Sequence, residues 1–169
     1  MSIAQTLLPE FDHEMAGCRT TLERVPDGRF DFQPHPKSMT LQQLANHVAS
    51  IPGWGASTMT TTELDFSLPE TRAKMPAPVT TRKALLESFD QGAAAARASL
   101  AAAADADFAV TWSGKSDGKV LFAMPRIAVY RSFILNHLIH HRAQLSLYLR
   151  LLDVPVPALY GPSADETGA

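Results

Sequence analysis

The stretch PRIAVYRSFILNHLIHHRAQLSLYLRLL, residues 125–152, decides the fold, because it is the longest run in the chain with the periodicity of one helix. Pro125 suits a first helical position, where its missing N–H costs nothing, and the proline-rich VPVPALYGP that follows ends the helix. Its apolar residues recur every three or four positions, as on a core-facing helix: Ile127, Tyr130, Ile134, Leu138, Leu145 and Tyr148.

Two histidines of this helix, His137 and His141, fall within the apolar stripe. Four residues correspond to about 400° of rotation and roughly 6 Å of rise, so the two imidazoles lie over one another and can converge on one cation. The spacing also fits two hydrogen-bonded core histidines without a metal. A third histidine, His140, lies near −60° relative to His137, while His141 lies near +40°, on the side of Leu138 and Leu145. We therefore expect His141 to face inward and His140 to lie at the edge of that face.

The composition fits one domain spanning residues 1–169, which can bury a full core. A net charge of −2, with no block of like charges, does not indicate a nucleic-acid or membrane partner. The single cysteine, Cys18, excludes an intramolecular disulfide and is expected to be a small buried residue. The N-terminus lacks the features of a signal peptide, and no stretch is apolar enough to span a membrane. We expect a soluble cytoplasmic protein.

Two further helices precede residue 66. The first ends near Val25, and either starts near Ser2 with a kink at Pro9 or has Pro9 in its first turn. The second begins after Thr40, which forms a capping box with Gln43, and continues with a kink past Pro52 toward residue 63. The buried stripe of the second helix consists of Leu41, Leu44, Val48 and Ile51, and His47 lies in that stripe.

The segment of residues 66–79, rich in proline, is predicted to be a loop. A third helix, capped by Thr80 or Thr81, runs to about Ala104 with Leu85, Leu86, Phe89 and Leu100 facing inward. Its many alanines allow close packing, either within the bundle or against a second copy of the chain. Residues 110–112 and 120–122 alternate in polarity on either side of a turn and predict a short β-hairpin. The expected fold is all-α, a four-helix bundle with a small β-hairpin insert before the last long helix.

With the helices placed, His47 on the inner face of the second helix can meet His137 and His141 of the fourth. Three neutral nitrogen ligands with an open position are the arrangement of catalytic rather than structural zinc. Three buried histidines without a metal would each need a hydrogen-bond partner, and these stripes offer few. The sequence therefore favours a metal site.

The same residues carry a family resemblance. PDGRFDFQPHPKSMTLQQLANHVASIPGW (26–54) and LNHLIHHRAQLSLYLRLLDVPVPALYGPSADE (135–166) resemble the DinB-like superfamily of four-helix metalloenzymes, over nearly the whole chain. The resemblance implies a divalent metal, zinc or nickel, bound by His47, His137 and His141. It also implies relatives that use low-molecular-weight thiols such as bacillithiol or mycothiol, and it does not name a substrate.

A metal held by three histidines could lower the pKa of a cofactor thiol or of a bound water, and the sequence favours neither reaction. We expect a small-molecule substrate or thiol as partner. The rival hypothesis is a non-catalytic bundle that binds a ligand or sequesters metal. Turnover of an electrophile in the presence of thiol and metal would distinguish the two.

Other residues carry weaker predictions. Gln144 lies on the histidine face and could hydrogen-bond a ligand ring, and Arg142 and His140 are further candidates near the site. The remaining polar residues considered, His13, His35, Asp12, Glu14 and Asp90, are expected to be solvated or capping, whereas Trp54, Trp112 and Tyr160 are expected to be core or pocket wall. From the alanine-rich helix and the homodimers common among similar bundles, we expect a two-fold dimer.

Overall fold

Four long helices form a bundle in the computed structural model, which describes residues 1–73 and 76–167. The helices are α1 (Ile3–Leu22), α2 (Leu41–Thr60), α3 (Pro69–Ala73), α4 (Arg82–Ala102), α5 (Asp105–Ala109), α6 (Arg126–Val129) and α7 (His137–Leu151), with a 3-10 turn at Asp27–Arg29. A π-helical segment, Tyr130–Asn136, joins α6 to α7, so these three form one continuous C-terminal helix. The strands are β1 (Glu63–Asp65), β2 (Thr111–Ser116) and β3 (Lys119–Pro125). The expected helical bundle is confirmed.

The helix starts follow from local capping. Ser2 and Gln5 form a capping box before α1, so Pro9 lies inside the helix, and α1 ends at Leu22 rather than near Val25. The predicted box of Thr40 and Gln43 starts α2, and Thr81 caps α4. These side chains satisfy backbone N–H groups that have no partner within the helix.

The core lies between α1, α2, α4 and the C-terminal helix, and all the predicted stripe residues of α2 are buried. α2 and α4 approach closely at two glycines: a Cβ added to Gly92 would lie 3.0 Å from the backbone nitrogen of Gly53. Ala96, on the same helix as Gly92, is fully buried. Gly92 and Ala96 therefore pack within the bundle, one of the two arrangements predicted from the alanines of α4, whereas Ala94, Ala95 and Ala98 are exposed.

Three corrections concern the region from the end of α2 to the end of α4. α2 ends at Thr60 instead of continuing toward residue 63, because Glu63 already belongs to β1. The segment of residues 66–79, predicted as loop, contains α3, while its residues 74 and 75 lie outside the described part of the chain. α4 ends at Ala102, and α5 follows it.

The β insert is a three-stranded sheet rather than a two-stranded hairpin. β2 pairs antiparallel with β3, and β1, from the end of α2, adds to β2 in parallel. Trp112 pairs with Met124 and Gly114 with Phe122, so the predicted pairing of residues 110–112 with 120–122 was wrong in register. A two-residue turn of Asp117 and Gly118, both with positive φ, sets this register.

The C-terminal helix differs from its prediction at both ends. Pro125 is the last residue of β3 and caps α6 rather than occupying its first turn, and α7 ends at Leu151. Its stripe is buried as predicted, except that Ile127 is only partly buried.

The tail after α7 is tied back to α1. Tyr160 donates to Glu14 Oε2 over 2.7 Å, and Arg142 Nη2 forms a buried ion pair with Glu14 at 2.8 Å. Within the described residues, no helix is both long and apolar enough to cross a membrane.

Candidate metal centre

The structure brings together three histidines that lie far apart in sequence. His47 comes from the middle of α2, and His137 and His141 come from the first two turns of α7. His137 Nε2 lies 3.2 Å from His47 Nε2 and 2.9 Å from His141 Nε2. One ligand nitrogen from each of the three residues lies within 4.8 Å of the others. We call this group the histidine cluster.

The distances in the histidine cluster suit a metal ion. In tetrahedral coordination, imidazole nitrogens lie about 2.0–2.1 Å from zinc, which puts two ligand nitrogens about 3.3–3.4 Å apart. The separations of 2.9 and 3.2 Å are a few tenths of an ångström shorter. An ion could therefore enter with only a small movement of the side chains.

Hydrogen bonds at the far side of two rings decide which nitrogens face the cluster. His141 Nδ1 lies 2.8 Å from Gln144 Oε1, and His137 Nδ1 lies 3.3 Å from the carbonyl oxygen of Phe133. Because these oxygens only accept, Nδ1 carries the proton in both rings and each Nε2 presents a lone pair. Outer partners of this kind orient metal-binding histidines.

Two lone pairs that face each other at 2.9 Å repel unless a cation lies between them. A proton could bridge the two nitrogens, but burial, as the main cause, lowers the pKa of both His137 and His141. Burial, followed by the charges of the other two rings, lowers the pKa of His47 to about 4. At neutral pH all three rings are therefore uncharged, which is the state that binds metal.

Trp54 covers one side of the histidine cluster. Its ring centroid lies 5.5 Å from that of His47 and 5.6 Å from that of His137. Trp54 follows His47 by seven residues, two helical turns, so both lie on one face of α2. Trp54 also lines two cavities, so of the two roles expected for it, core or pocket wall, it has the second.

The other predicted site residues lie in three different settings. Gln144 contacts His141, as above. His140 is exposed, with its ring centroid 4.8 Å from that of His141. Arg142 points away from the cluster: it is buried against α1, where it donates to the Glu14 carbonyl oxygen and to Tyr160. Arg142 faces away from the cluster because one residue of helical rotation, about 100°, separates it from His141. Its hydrogen bonds instead connect the C-terminal tail to α1.

The remaining weak candidates also have ordinary roles. Asp12 pairs with Arg97 and Asp90 with Arg19 on the surface. Glu14, expected to be solvated, is buried because it pairs with Arg142.

The other two histidines lie outside the cluster: His13 packs on Tyr160, and His35 accepts from the Lys37 backbone N–H. Burial raises the pKa of Cys18 to about 12, so its thiol is protonated and inert.

Two cavities border the histidine cluster, and a third lies beyond Trp54. The first cavity, of about 520 Å³, is lined by His47, Asn46, Ser50 and Trp54, among others. A second, of about 460 Å³, borders His141 and Gln144. A third, of about 290 Å³, lies on the other side of Trp54 and is lined almost entirely by apolar residues. Small molecules therefore have room on several sides of the cluster.

Two features of the site were missed by the sequence analysis. The Phe133 carbonyl that holds His137 carries no side-chain signal, since any residue could supply it. The apolar cavity draws residues from α2, the sheet and the C-terminal helix, so no single periodic pattern indicates it. The i−4 position of Phe133 relative to His137 was the only available hint.

Comparison with known proteins gives a consistent result. The sequence profile of the DinB family matches residues 1–168. A DinB-like protein from Bacillus cereus has a similar structure, with a TM-score of 0.67 and 19% identity, covering 94% of this chain and 98% of that one. A DinB-like protein from Bacillus subtilis gives a TM-score of 0.70 and 14% identity, covering 91% and 97%. At these identities the likeness shows the fold. No curated protein sequence matches the chain significantly.

Proposed function

The chain belongs to the DinB family, and on that premise we propose that its histidine cluster binds one divalent ion in a metalloenzyme that acts on small molecules. The observation that carries this proposal is the convergence of three uncharged imidazoles, with the Nε2 atoms of His137 and His141 facing each other at 2.9 Å. Zinc and nickel are the expected metals because the family resemblance implies them, and imidazole ligands suit both.

The side chains around the cluster support this role. The Phe133 carbonyl and Gln144 hold the rings of His137 and His141 with Nε2 inward, and Trp54 shields one side from water. A divalent ion there would lower the pKa of a thiol or a water molecule that binds it. Three protein ligands leave a position open for that molecule, and the cavities next to His47 and His141 offer access.

We propose a thiol-dependent S-transferase-like reaction, with a low-molecular-weight thiol as cofactor, as the activity to test first. Hydrolysis by an activated water is the other reaction compatible with the same residues. A non-catalytic protein that binds a ligand or sequesters metal is the alternative from a different class.

Two measurements on the protein purified without a histidine tag test the proposal. Elemental analysis should find about one zinc or nickel ion per chain. The metal-loaded protein should then accelerate the conjugation of a thiol such as bacillithiol or mycothiol with members of an electrophile panel. Bound metal without turnover of any thiol or hydrolytic substrate would favour the metal-sequestering protein. A protein that takes up neither ion would contradict the metalloenzyme and the metal-sequestering protein and would leave only the ligand-binding protein.

We also propose that the chain forms a two-fold dimer. Leu147 and Leu151, one turn apart on α7, are more than half exposed and could contribute to an apolar interface. Light scattering at tens of micromolar should give twice the chain mass of 18.3 kDa, and a monomer at that concentration would be evidence against it. The cytoplasmic location stays a prediction from the sequence.

A further inference from the structure

The cavity on the far side of Trp54 has walls from three parts of the fold. Its volume is about 290 Å³, close to the lower end of the range for ligand sites. Aromatic rings dominate its lining: Trp54 from α2, Phe66, Trp112 from β2, Phe122 from β3 and Phe133 from the π-helical segment. We call it the aromatic cavity.

Two polar side-chain atoms of its lining have hydrogen-bond partners outside the cavity. Trp112 Nε1 donates to Thr61 Oγ1 over 3.0 Å, and Thr58 Oγ1 donates to the Trp54 carbonyl oxygen over 2.9 Å. The rings therefore present their apolar faces to the space, and an apolar ligand would leave none of these polar groups without a partner.

The walls are ordered by mutual packing. Phe122 stacks on Phe133 with centroids 4.5 Å apart, and it lies 5.9 Å from the ring of Trp112. Gly114, paired with Phe122 in the sheet, leaves room for this ring, since a Cβ there would come within 2.4 Å of it. The cavity is thus preformed, which lowers the entropic cost of binding a rigid ligand.

Two residues connect the aromatic cavity to the histidine cluster. Trp54 lines the cavity and packs against His47 and His137. Phe133 contributes its ring to the cavity while its carbonyl oxygen accepts from His137. A ligand in the cavity would therefore lie one indole ring away from the cluster.

We propose that the aromatic cavity binds a flat, uncharged aromatic group of the substrate and so selects aromatic over small aliphatic substrates. This inference rests on the proposed function, in which the histidine cluster holds the metal. An aromatic group fits because offset and edge-to-face contacts with four or five surrounding rings favour it over an alkyl chain of equal area.

The test uses N-phenyl-1-naphthylamine, an uncharged aromatic probe that has no thiol. The chain has two tryptophans, Trp54 and Trp112, and both line the cavity. Energy transfer from these tryptophans to the probe therefore reports binding to the chain, and the variants described next locate the binding site. We expect saturable transfer with one probe per chain.

A matched pair of variants locates the probe. Ser57 lines the cavity, and Ser57→Phe fills it, so the probe should bind at least about tenfold more weakly. Thr60→Phe places the same ring on an exposed position three residues further along α2 and should bind the probe as the wild type does. If Ser57→Phe does not fold, Leu64→Lys, which puts a charge in the partly exposed wall, should weaken binding similarly. Unsaturable transfer, or equal affinities in wild type and the folded wall variants, would overturn the inference.

An experiment with nickel distinguishes failure of this inference from failure of the proposed function. Ni²⁺ bound at the cluster should quench the fluorescence of the bound probe, and His141→Ala, which does not line the aromatic cavity, should lose the quenching but keep the probe. If calorimetry shows no Ni²⁺ binding while the probe binds, the proposed metal function fails and an apolar ligand site remains. If Ni²⁺ binds without quenching, the cavity does not serve the metal site.

Discussion

At the scale of single residues, the neighbours His140 and His141 should differ sharply in function. His141 Nε2 lies 2.9 Å from His137 Nε2, whereas His140 is exposed at the edge of the cluster. We expect His47→Ala, His137→Ala and His141→Ala each to abolish zinc and nickel binding, because two imidazoles are a weak site. His140→Ala should retain most of the affinity. Calorimetric titration of the four variants measures this, and the reverse result would mean that α7 presents another face.

A second prediction at this scale concerns pH in the metal-free protein. The pKa of His47 falls from 6.5 to about 4 because of its burial. Between these pH values His47 binds a proton in the unfolded chain but not in the folded chain. The free energy of unfolding should therefore decrease as pH falls from about 6.5 to about 4. Below about pH 4 the protonation of His47 causes no further change in the free energy of unfolding.

Urea denaturation in the presence of a chelator, over pH 4 to 7.5, measures the effect. In His47→Gln the free energy of unfolding should decrease less as pH falls. Some dependence on pH should remain because the pKa values of His137 and His141 are also lowered. His140→Gln serves as the control and should follow the wild type. Parallel curves for wild type and His47→Gln would show that His47 is not buried as a neutral ring.

At the scale of secondary-structure elements, the contact between α2 and α4 depends on Gly92. Replacing glycine by alanine inside a helix usually stabilises it by about 0.5–1 kcal/mol. In Gly92→Ala, however, the new Cβ would lie 3.0 Å from Gly53 N and 3.3 Å from Gly53 Cα, both backbone atoms. We expect a net loss of about 1–3 kcal/mol from overpacking.

Gly53→Ala is the matched control for this contact. The nearest atom to its added Cβ is Gly92 Cα at 3.9 Å, an ordinary van der Waals distance. This variant should therefore be neutral or slightly stabilising. Thermal unfolding of the two variants without metal measures the difference. Equal melting temperatures would indicate that the two helices can separate without cost.

The π-helical segment shows how an element can depart from its sequence pattern without changing the site. Residues 130–136 have fewer turns per residue than an α-helix, so Tyr130 and Ile134 are rotated relative to a regular stripe. His137 and His141 both follow this segment and keep regular α-helical spacing. The angular argument that favoured His141 therefore holds for Leu138 and Leu145, which are also in α7.

At the scale of the whole molecule, a metal at the histidine cluster would link two helices whose ligands lie 90 residues apart in sequence. An ion that binds the folded chain alone stabilises it by about 2.7 kcal/mol at a free concentration of 100 times Kd. We expect chelation to lower the melting temperature and added zinc or nickel to restore it. His47→Ala should show the same melting temperature with and without the ions, and a wild type equally indifferent to them would contradict the metal site.

Much of the fold could be predicted from local sequence, because helix formation depends on neighbours three and four residues away. The caps at Thr40 and Thr81, the stripes of α2 and α7, and the shared face of His137 and His141 all follow from such spacing. The same stripes predicted that His47 faces the last helix. The strand register was predicted wrongly and β1 was not predicted, since pairing depends on the irregularity at Gly114 and on a distant segment.

What the sequence by itself determined is therefore which residues lie on which helical face, since that depends only on the periodicity of the helix. Tertiary structure alone decided how those faces meet: the 2.9 Å and 3.2 Å separations, and the burial that keeps the rings uncharged. It also directed Arg142 to Glu14 and Tyr160, 128 and 18 residues distant, rather than to the cluster. The physical reason is that distances and dielectric environment depend on which distant elements pack together, whereas helical rotation is a local property.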